Sequence, residues 1–236
     1  MKTLVGFRPS GRLHIGHYLS VIKPALTPNC DVLIADYHAP SVTQQEIVHL
    51  VEILDKFGIY APILQREVFN GDIFFRLLEL AHFGELERMT QFQTKKRANA
   101  HLFIYPVLMA HDIIGYEKVI VGEDQKQHLN FARDLLQRYN KQYNENLIIP
   151  IGEFSGGRIK DLLKPESKMS KSTPSGCLFL DDTPEEIRKK IKKANTNPLG
   201  LKNLHTLYRE FVDGKIPTSN EQMKAKLADA IVQIVA

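Results

Sequence analysis

The sequence has little cysteine and no long apolar run, and both absences narrow the class of protein. Cys30 and Cys177 are the only cysteines among 236 residues, too few for a disulfide framework or a four-thiolate metal site. No stretch approaches the roughly 20 apolar residues that a transmembrane helix needs. The first residues, MKTLVGFRPSG, are typical of a strand entering a turn and not of a secretory signal. We therefore expect a protein of the reducing cytoplasm, without a structural metal.

The chain is only mildly basic, which leaves the nature of its partners open. With 43% hydrophobic and 25% charged residues it has the composition of a globular protein that can bury a core. Its formal net charge of +4 is compatible with a polyanionic partner but does not establish one. Much of the local positive charge lies in TKKRANA (94–100) and RKKIKKA (188–194). Such runs suit either an RNA backbone or a solvated helix face, and the sequence does not separate the two.

Short β-branched runs alternate with helical patterns along much of the chain. The runs bounded by turn signals predict strands at 2–7, 31–38, 61–67 and 117–124. The spacing of apolar residues predicts helices at 13–23, ended by Pro24, at 43–57 and at 125–139. Strands that alternate with helices favour a parallel sheet covered by helices. The predicted fold is therefore α/β, a doubly wound and Rossmann-like sheet.

The pattern becomes helical after about residue 173. Thr183 and Glu186 form a predicted capping box, with Pro184 at the first helical position. Ser219 and Gln222 form a second predicted box ahead of another apolar periodicity. We therefore predict a catalytic domain over 1–173 with an inserted helical segment at about 70–105, and a small helical appendage over 174–236.

The segment GRLHIGHY, residues 11–18, follows a predicted strand and a turn at the start of a helix. In open α/β sheets ligands bind there, where helix N-termini present free N–H groups. Gly16 would let a flat ring or a phosphate approach the backbone closely. His14 and His17, three residues apart on one helical face, could donate hydrogen bonds to a phosphate. Taken alone, a His-x-x-His pair more often lies on an ordinary surface.

A second motif, KMSKS, occupies residues 168–172 in a polar loop, which we call the lysine loop. Its two lysines could gather the charge that develops on a polyphosphate leaving group. In this order and at this distance, the two motifs resemble the signature motifs of the class I aminoacyl-tRNA synthetases. Three longer matches resemble the tryptophanyl-tRNA synthetases in particular: GELERMTQF (84–92), YPVLMAHDI (105–113) and VGEDQKQHLNFARDL (121–135).

The resemblance, which runs through most of residues 1 to 204, implies a two-step ligase reaction. The tryptophan carboxylate would attack the α-phosphate of ATP to give tryptophanyl-adenylate and pyrophosphate. The acyl group would then pass to the 3′ end of tRNA(Trp). Such chemistry depends on positioning and charge stabilisation more than on a general base. Mg²⁺ would arrive with ATP, and the family is typically a symmetric homodimer.

The resemblance also assigns roles to individual positions of this sequence. The four residues nearest the transferring phosphates would be His14, His17, Lys168 and Lys171. The remaining ATP-binding residues would be Arg8, Pro9, Ser10, Gly16, Gly122, Glu123, Asp124, Ile159, Met169, Ser170 and Ser172. Tryptophan would be bound by Tyr105, Met109, Asp112, Ile113, Val121 and Gln125, with Tyr105 and Gln125 on its α-amino group.

The chemistry of the amino-acid pocket can be argued from the residues themselves. Indole offers one N–H donor on an otherwise apolar ring, so its pocket needs one acceptor among hydrophobic side chains. Asp112 beside Met109 and Ile113 provides that combination. The alternative is that Asp112 only caps a helix or forms a salt bridge. Tyrosyl-tRNA synthetase, the nearest confusable relative, tends to have glutamine at the position of Met109, which favours tryptophan here.

The sequence also departs from the family pattern at four places. Before Tyr105 the chain is a few residues shorter than expected, in a segment that the resemblance places near the dimer interface. Arg8 stands where many bacterial members have glutamine, and Thr173 begins TPSG where Asp-Pro is more usual after the lysine loop. The C-terminal helical region, which in the family reaches toward the anticodon, is much reduced. Two alternatives to a complete tryptophan–tRNA ligase therefore remain. One is a tryptophan-activating enzyme with a different or relaxed acceptor, and the other is a non-catalytic protein that binds tryptophan or a nucleotide.

Overall fold

The structure is a computed structural model that describes residues 1–9, 11–95, 99–155 and 159–235. Its strands are β1 (Thr3–Phe7), β2 (Cys30–Ile34), β3 (Ile63–Leu64), β4 (Lys118–Gly122) and β5 (Ile151–Ser155). Its helices are α1 (Ile15–His17), α2 (Lys23–Ala25), α3 (Gln44–Lys56), α4 (Gln65–Val68), α5 (Gly71–Leu80), α6 (Phe83–Glu87), α7 (Thr90–Thr94), α8 (Ala100–Asp112), α9 (Lys126–Tyr143), α10 (Pro184–Lys193), α11 (Pro198–Phe211) and α12 (Asn220–Val235). Within these described ranges, no helix has the length and apolar character to cross a membrane.

The strands form one parallel sheet in the order β3-β2-β1-β4-β5. At its centre the fully buried Val5 of β1 aligns with Val32 of β2 on one side and with Ile120 of β4 on the other. The chain adds β2 and β3 on one side before it crosses to β4 and β5, so the strand order reverses between β1 and β4. Ligands of open α/β sheets bind at the carboxyl ends of the strands at such a reversal. The predicted doubly wound α/β class is confirmed.

Three strands differ from the sequence-based expectations. The strand predicted at 31–38 ends at Ile34, because a 3-10 turn follows over Asp36–His38. The predicted strand at 61–67 is only Ile63–Leu64, because the chain turns into helix α4 at Gln65. The edge strand β5 was not predicted at all. It pairs only with β4, and its first side chain, Ile151, is 63% exposed, so it lacks the continuous apolar run of a buried strand.

Pro24 does not end the first helix, contrary to the prediction. A π-helical turn over Tyr18–Ile22 joins α1 to α2, and the helical conformation continues to Ala25. Pro24 is the second residue of α2 and follows the π-helical turn closely. Its carbonyl accepts hydrogen bonds from the N–H and the hydroxyl of Thr27, at 3.1 and 2.7 Å. The helix therefore ends just after the proline, not before it.

The other predicted helices are confirmed, although α9 extends to Tyr143, four residues beyond its predicted end. Helix α3 ends at Lys56, before Gly58, whose φ of 77° lies in the region that favours glycine. Helix α10 begins with the predicted capping box: Thr183 Oγ1 accepts from Glu186 N at 3.3 Å, and Glu186 Oε2 accepts from Thr183 N at 2.8 Å. Ser219 Oγ likewise accepts a hydrogen bond at the start of α12.

The chain divides into two compact units, each with its own apolar core. The first unit comprises Met1–Ser10 and Ser20–Ser155, with a core of sheet, α5, α8 and α9 side chains. The second unit comprises Gly11–Leu19 and Gly156–Ala236, in which α12 packs against α10 and α11. The small C-terminal helical appendage is thereby confirmed as helical. The predicted domain division at residue 173 stays a prediction.

Candidate active site

The two histidines of GRLHIGHY form a hydrogen-bonded pair at the start of α1. His14 is the N-cap, and its Nδ1 accepts a hydrogen bond from Gly16 N at 3.0 Å. His17 Nδ1 in turn accepts from His14 N at 3.1 Å. The rings lie 4.0 Å apart between centroids. Because Nδ1 of each neutral ring is an acceptor, each ring carries its hydrogen on Nε2, so both present an N–H donor.

Gly16 is required by the histidine pair itself. A Cβ at this position would lie 2.7 Å from Cε1 and 2.9 Å from Nδ1 of His14, closer than side chains approach one another. The absence of a side chain lets the His14 ring fold over the backbone and cap Gly16 N. The proposed close approach of a ligand to Gly16 stays a prediction, and the histidine contact is a separate reason for glycine.

The local environment keeps both histidines neutral. Burial, together with the charges of Lys171 and Lys168, lowers the pKa of His14 to about 4. Burial, His14 and Lys171 also lower the pKa of His17 well below the ordinary value. Neutral imidazoles that donate from Nε2 can bind a phosphate oxygen without carrying a charge of their own. The positive charge of this region is then provided by the two lysines.

We expect the buried neutral His14 to make the protein less stable as the pH falls. Its folded pKa of about 4 lies below the ordinary 6.5, so the unfolded chain binds the proton first. The stabilisation is complete above pH 6.5 and declines toward pH 4, by about 2 kcal/mol at pH 5. His14→Asn retains an N-cap acceptor and should have a smaller slope, because it loses the contribution of His14 while that of His17 remains. Urea unfolding of both proteins at pH 7 and pH 5 measures it, and equal slopes would contradict the assignment.

The segment GRLHIGHY (11–18), which we call the histidine segment, pairs with the chain that follows the lysine loop. Ile15 N donates to Leu178 O and Leu180 N donates to Leu13 O, both at 2.9 Å, so the two segments form a short antiparallel bridge. Arg12 adds an ionic contact, because its guanidinium donates to the carboxylates of Asp181 and Asp182. These contacts fix the two signature motifs within the same compact unit.

The lysine loop has one buried side chain between exposed ones. Met169 is 2% exposed, and its N–H donates to Ile159 O at 3.0 Å, while Lys168, Ser170 and Ser172 are exposed. Lys160 and Lys168 form an isolated antiparallel bridge beside it. Ile159 itself is 4% exposed. Met169 and Ile159 therefore hold the loop, whereas the exposed polar residues are available to a ligand.

The other predicted nucleotide residues lie in the first unit, after β1 and β4. Arg8 is exposed and Pro9 is buried directly after β1. Gly122 ends β4, and a Cβ there would lie 2.7 Å from Asp124 Oδ1, so glycine lets Asp124 fold back over the strand end. Glu123 and Asp124 are exposed. These positions lie where the strand order reverses, and Ser10 lies outside the described residues.

Asp112, at the end of α8, is a buried carboxylate with partners on both oxygens. His38 Nε2 lies 2.9 Å from Oδ2, and Gln65 Nε2 donates to Oδ1 at 2.7 Å. Nδ1 of the adjacent His111 lies 3.6 Å from Oδ1. Burial alone would raise the pKa of Asp112, but the contacts with His111, His38 and Gln65 together lower it. Asp112 is therefore an ionised acceptor and not the cap of α8, which is Ile113, while the contact with His38 agrees with the salt-bridge alternative.

The other predicted tryptophan contacts surround Asp112 in the first unit. Met109 and Ile113 are 9% and 1% exposed and belong to the apolar core, and the half-buried Val121 packs against it. The Tyr105 ring lies 4.1 Å from that of His38 between centroids. Burial raises the pKa of Tyr105 to about 12 in spite of the opposing charge of Arg8, so its hydroxyl keeps its proton at neutral pH.

Several polar atoms of the first unit are buried without a hydrogen-bond partner in the described part of the chain. They include His38 Nδ1, Gln125 Oε1 and His128 Nδ1. The His128 ring lies 5.5 Å from that of Tyr105. An unpartnered buried polar group is costly, and a bound substrate with a polar head group would satisfy such atoms. Gln125 was predicted to contact the substrate, whereas His38 and His128 were not.

Four residues around Asp112 and Tyr105 escaped the sequence analysis: His38, Gln65, His111 and His128. One signal could have indicated two of them, because His38 and Gln65 lie near the C-terminal ends of the predicted strands at 31–38 and 61–67, at the edge where sheets of this class bind ligands. His111 lies within YPVLMAHDI, a match that assigned it no contact with the substrate. It accepts a hydrogen bond from Asn70 N at 3.0 Å, which directs its Nδ1 toward Asp112.

Comparison with known proteins identifies the family. A family sequence model described as "tRNA synthetases class I (W and Y)" matches residues 62–233. A tryptophan–tRNA ligase of Caldanaerobacter subterraneus subsp. tengcongensis is 35% identical over an alignment that covers 89% of this chain and 75% of the relative. The tryptophan–tRNA ligase of Bacillus subtilis is 34% identical, with 94% and 77% covered.

A solved structure agrees with these relatives. The crystal structure of tryptophanyl-tRNA synthetase from Mycoplasma pneumoniae superposes on the whole of this chain with a TM-score of 0.85 and 30% identity, and the match covers 85% of that chain. The resemblance predicted from the two signature motifs and the three longer matches is thus confirmed. The chain belongs to the class I tRNA synthetases of the tryptophan and tyrosine branch, and within that branch to the tryptophan–tRNA ligases.

Proposed function

We propose that this chain activates L-tryptophan with ATP and transfers the acyl group to tRNA(Trp). In the first step a tryptophan carboxylate oxygen attacks the α-phosphorus of ATP, and the bond to the pyrophosphate oxygen breaks. In the second step a hydroxyl at the tRNA 3′ end attacks the acyl carbon, and AMP leaves. The observation that carries the proposal is the group of two neutral histidines and two lysines in the second unit, on which pyrophosphate chemistry can rely.

The histidine pair and the lysine loop provide different kinds of stabilisation. His14 and His17 donate from Nε2 and would orient the α-phosphate without adding charge. Lys168 and Lys171 would neutralise the charge that grows on the leaving pyrophosphate, the type of interaction that contributes most to such steps. Lys171 and Lys168 both lower the pKa of His14. This supports the proposal that the two lysines act on the same phosphate group as the histidine. The remaining predicted ATP contacts, Arg8 to Ser10 and Gly122 to Asp124 among them, stay proposals.

Asp112 would select the indole ring. An ionised acceptor among Met109 and Ile113 accepts the one N–H of indole, and the rest of the ring contacts hydrocarbon. His38 and Gln65 already bind the carboxylate, so it enters the pocket in one orientation. Tyr105 and Gln125 would bind the α-amino group through oxygen acceptors, for which the unpartnered Oε1 of Gln125 is suited.

The partners and setting follow from the reaction. We propose that Mg²⁺ binds as part of the ATP substrate, that the acceptor is tRNA(Trp), and that the enzyme works in the cytoplasm, where translation consumes its product.

We also propose a homodimer. Two exposed aromatic side chains in the segment 70–105, Phe75 at 66% and Phe83 at 67%, support an apolar contact there. Sedimentation equilibrium of the wild type and of Phe83→Ser tests the dimer.

Charging of a tRNA(Trp) transcript with radiolabelled tryptophan tests the acceptor. We expect acid-precipitable tryptophan with this tRNA and none with a non-cognate transcript. A tRNA(Trp) transcript with a replaced anticodon tests whether the enzyme reads the anticodon. Loss of charging indicates complete recognition, whereas retained charging indicates the relaxed acceptor. Formation of adenylate without any charging would show that the acyl group goes elsewhere.

A further inference from the structure

Thr173, the first residue after the lysine loop, makes a hydrogen bond that the family pattern does not indicate. Asp-Pro is more usual at this point, and this chain has Thr-Pro. Thr173 Oγ1 donates to Asp161 Oδ2 at 2.7 Å, and Ser170 O lies 3.2 Å from the same hydroxyl. A carboxylate is thus present beside the end of the loop, but it comes from the segment before the loop.

Asp161 is buried and fully engaged. Its residue is 2% exposed, and its Oδ1 accepts from Leu163 N at 2.8 Å and Lys164 N at 2.9 Å. A Cβ on Gly176 would overlap the carboxylate, so the turn after the loop lies directly against it. A carboxylate whose other oxygen is fixed by two backbone donors is a rigid acceptor for the Thr173 hydroxyl.

The lysine loop is therefore attached at both ends to one short segment, residues 159–162. Near its start, Met169 N donates to Ile159 O at 3.0 Å. At its end, Thr173 donates to Asp161. With both attachments made, the intervening residues are confined, and Lys171 lies near the histidine segment, 3.7 Å from where a Cβ of Gly11 would be.

We propose that Asp161 is a positioning residue for the activation step, acting through Thr173 to hold the lysine loop. This inference rests on the proposed function. Charge stabilisation by Lys168 and Lys171 is effective only when the ammonium groups are already in place as the pyrophosphate leaves. The Asp161–Thr173 hydrogen bond is the side-chain contact at the end of the loop, and the remaining attachments there are backbone hydrogen bonds such as Leu162 N to Gly176 O at 2.9 Å. Without the Thr173 contact, the end of the loop is held less closely and the lysines occupy a wider range of positions.

The test begins with Thr173→Val, which removes the donor and preserves the shape. We expect kcat of tryptophan-dependent ATP–pyrophosphate exchange to fall about tenfold, the size of one hydrogen bond to a charged group. The Kd of tryptophan, measured by its own fluorescence because the chain contains no tryptophan, should not change. Thr206→Val is the matched control, since it removes a hydroxyl bonded to a helix carbonyl in the same unit. An unchanged kcat for Thr173→Val would overturn the proposal.

A reciprocal exchange separates positioning from folding. Asp161→Ser keeps an acceptor for the two backbone donors but loses the carboxylate, and should be as slow as Thr173→Val. The double variant Asp161→Ser/Thr173→Asp moves the carboxylate to the loop and restores the hydrogen bond in the opposite sense. Recovery of kcat to within about threefold of the wild type supports the proposal, because the contribution of such a hydrogen bond varies by about that factor with its context. A double variant slower than either single variant overturns it.

Backbone amide hydrogen exchange distinguishes this inference from the proposed function. Faster exchange at residues 168–173 in Thr173→Val, but not in Thr173→Ser, supports the attachment even if the wild type shows no activity with tryptophan. Such inactivity would contradict the proposed function alone. Identical exchange at these residues in Thr173→Val and the wild type would overturn the inference, whatever the activity.

Discussion

Replacing Asp112 with alanine is expected to reduce kcat/KM for tryptophan about 100-fold or more. The carboxylate is buried and ionised, and it would accept the only hydrogen bond that indole can donate. Removing it also leaves the nitrogens of His38 and Gln65 without their acceptor inside the pocket. Together, a lost charged hydrogen bond and newly unpaired buried donors are worth about 3 kcal/mol or more. Steady-state pyrophosphate exchange at several tryptophan concentrations measures the loss.

The matched control for this variant is Asp36→Ala. Asp36 is another buried carboxylate of the first unit, 1% exposed, and it binds Arg66 through both oxygens. Its loss should lower the free energy of unfolding without a comparable loss in kcat/KM. If Asp36→Ala reduces tryptophan activation as much as Asp112→Ala does, the loss reflects damage to the fold, and the role assigned to Asp112 is wrong.

Replacing Lys171 with alanine is expected to lower kcat of pyrophosphate exchange by 100- to 1,000-fold, the usual effect of removing one group that stabilises transition-state charge. Lys171 lies near Gly11 and acts electrostatically on His14, so the positive charge is close to the residues that would bind phosphate. The Kd of tryptophan should be unaffected, because the predicted amino-acid contacts belong to the first unit.

Lys202→Ala is the control for the loss of a positive charge, since Lys202 is an exposed lysine on α11 of the same unit. It should retain wild-type kcat. A Lys171→Ala variant within twofold of the wild type would refute the role of the loop in charge stabilisation. A variant that loses tryptophan affinity to the same extent as kcat would point to misfolding instead.

Local signals in the sequence were sufficient for the elements with strong periodicity. The helices α3, α9 and α10 and the central strands β1, β2 and β4 follow directly from apolar spacing, capping residues and β-branched runs. The edge strand β5 was missed because its outward side chains break the apolar run. The predicted helix end at Pro24 was wrong because a π-helical turn precedes the proline and the helical conformation continues to Ala25. No local sequence pattern indicates a π-helical turn.

The candidate site was predictable in part, for a physical reason. His14, His17, Lys168 and Lys171 belong to contiguous motifs, so their grouping is visible in the sequence. The partners of Asp112 come from the ends of two strands far away along the chain. Only the parallel order of β1, β2 and β3 brings His38 and Gln65 to the same place.

The departure at Thr173 shows the same limit. A substitution next to a signature motif looks like a loss when the sequence is compared position by position. Asp161 precedes Thr173 by twelve residues in the chain, yet in the structure its carboxylate lies 2.7 Å from the Thr173 hydroxyl. The interaction is therefore visible only once the turn that brings the two residues together is known.

The central claim is that this chain activates tryptophan, and amino-acid-dependent ATP–pyrophosphate exchange tests it most directly. The assay compares tryptophan with tyrosine and phenylalanine at equal concentration, with the wild-type chain and Mg²⁺. We predict exchange with tryptophan alone, because Asp112 requires a donor and Met109 offers none of the polar contacts that a phenol needs. Exchange with tyrosine instead, or with none of the three amino acids, would contradict the account.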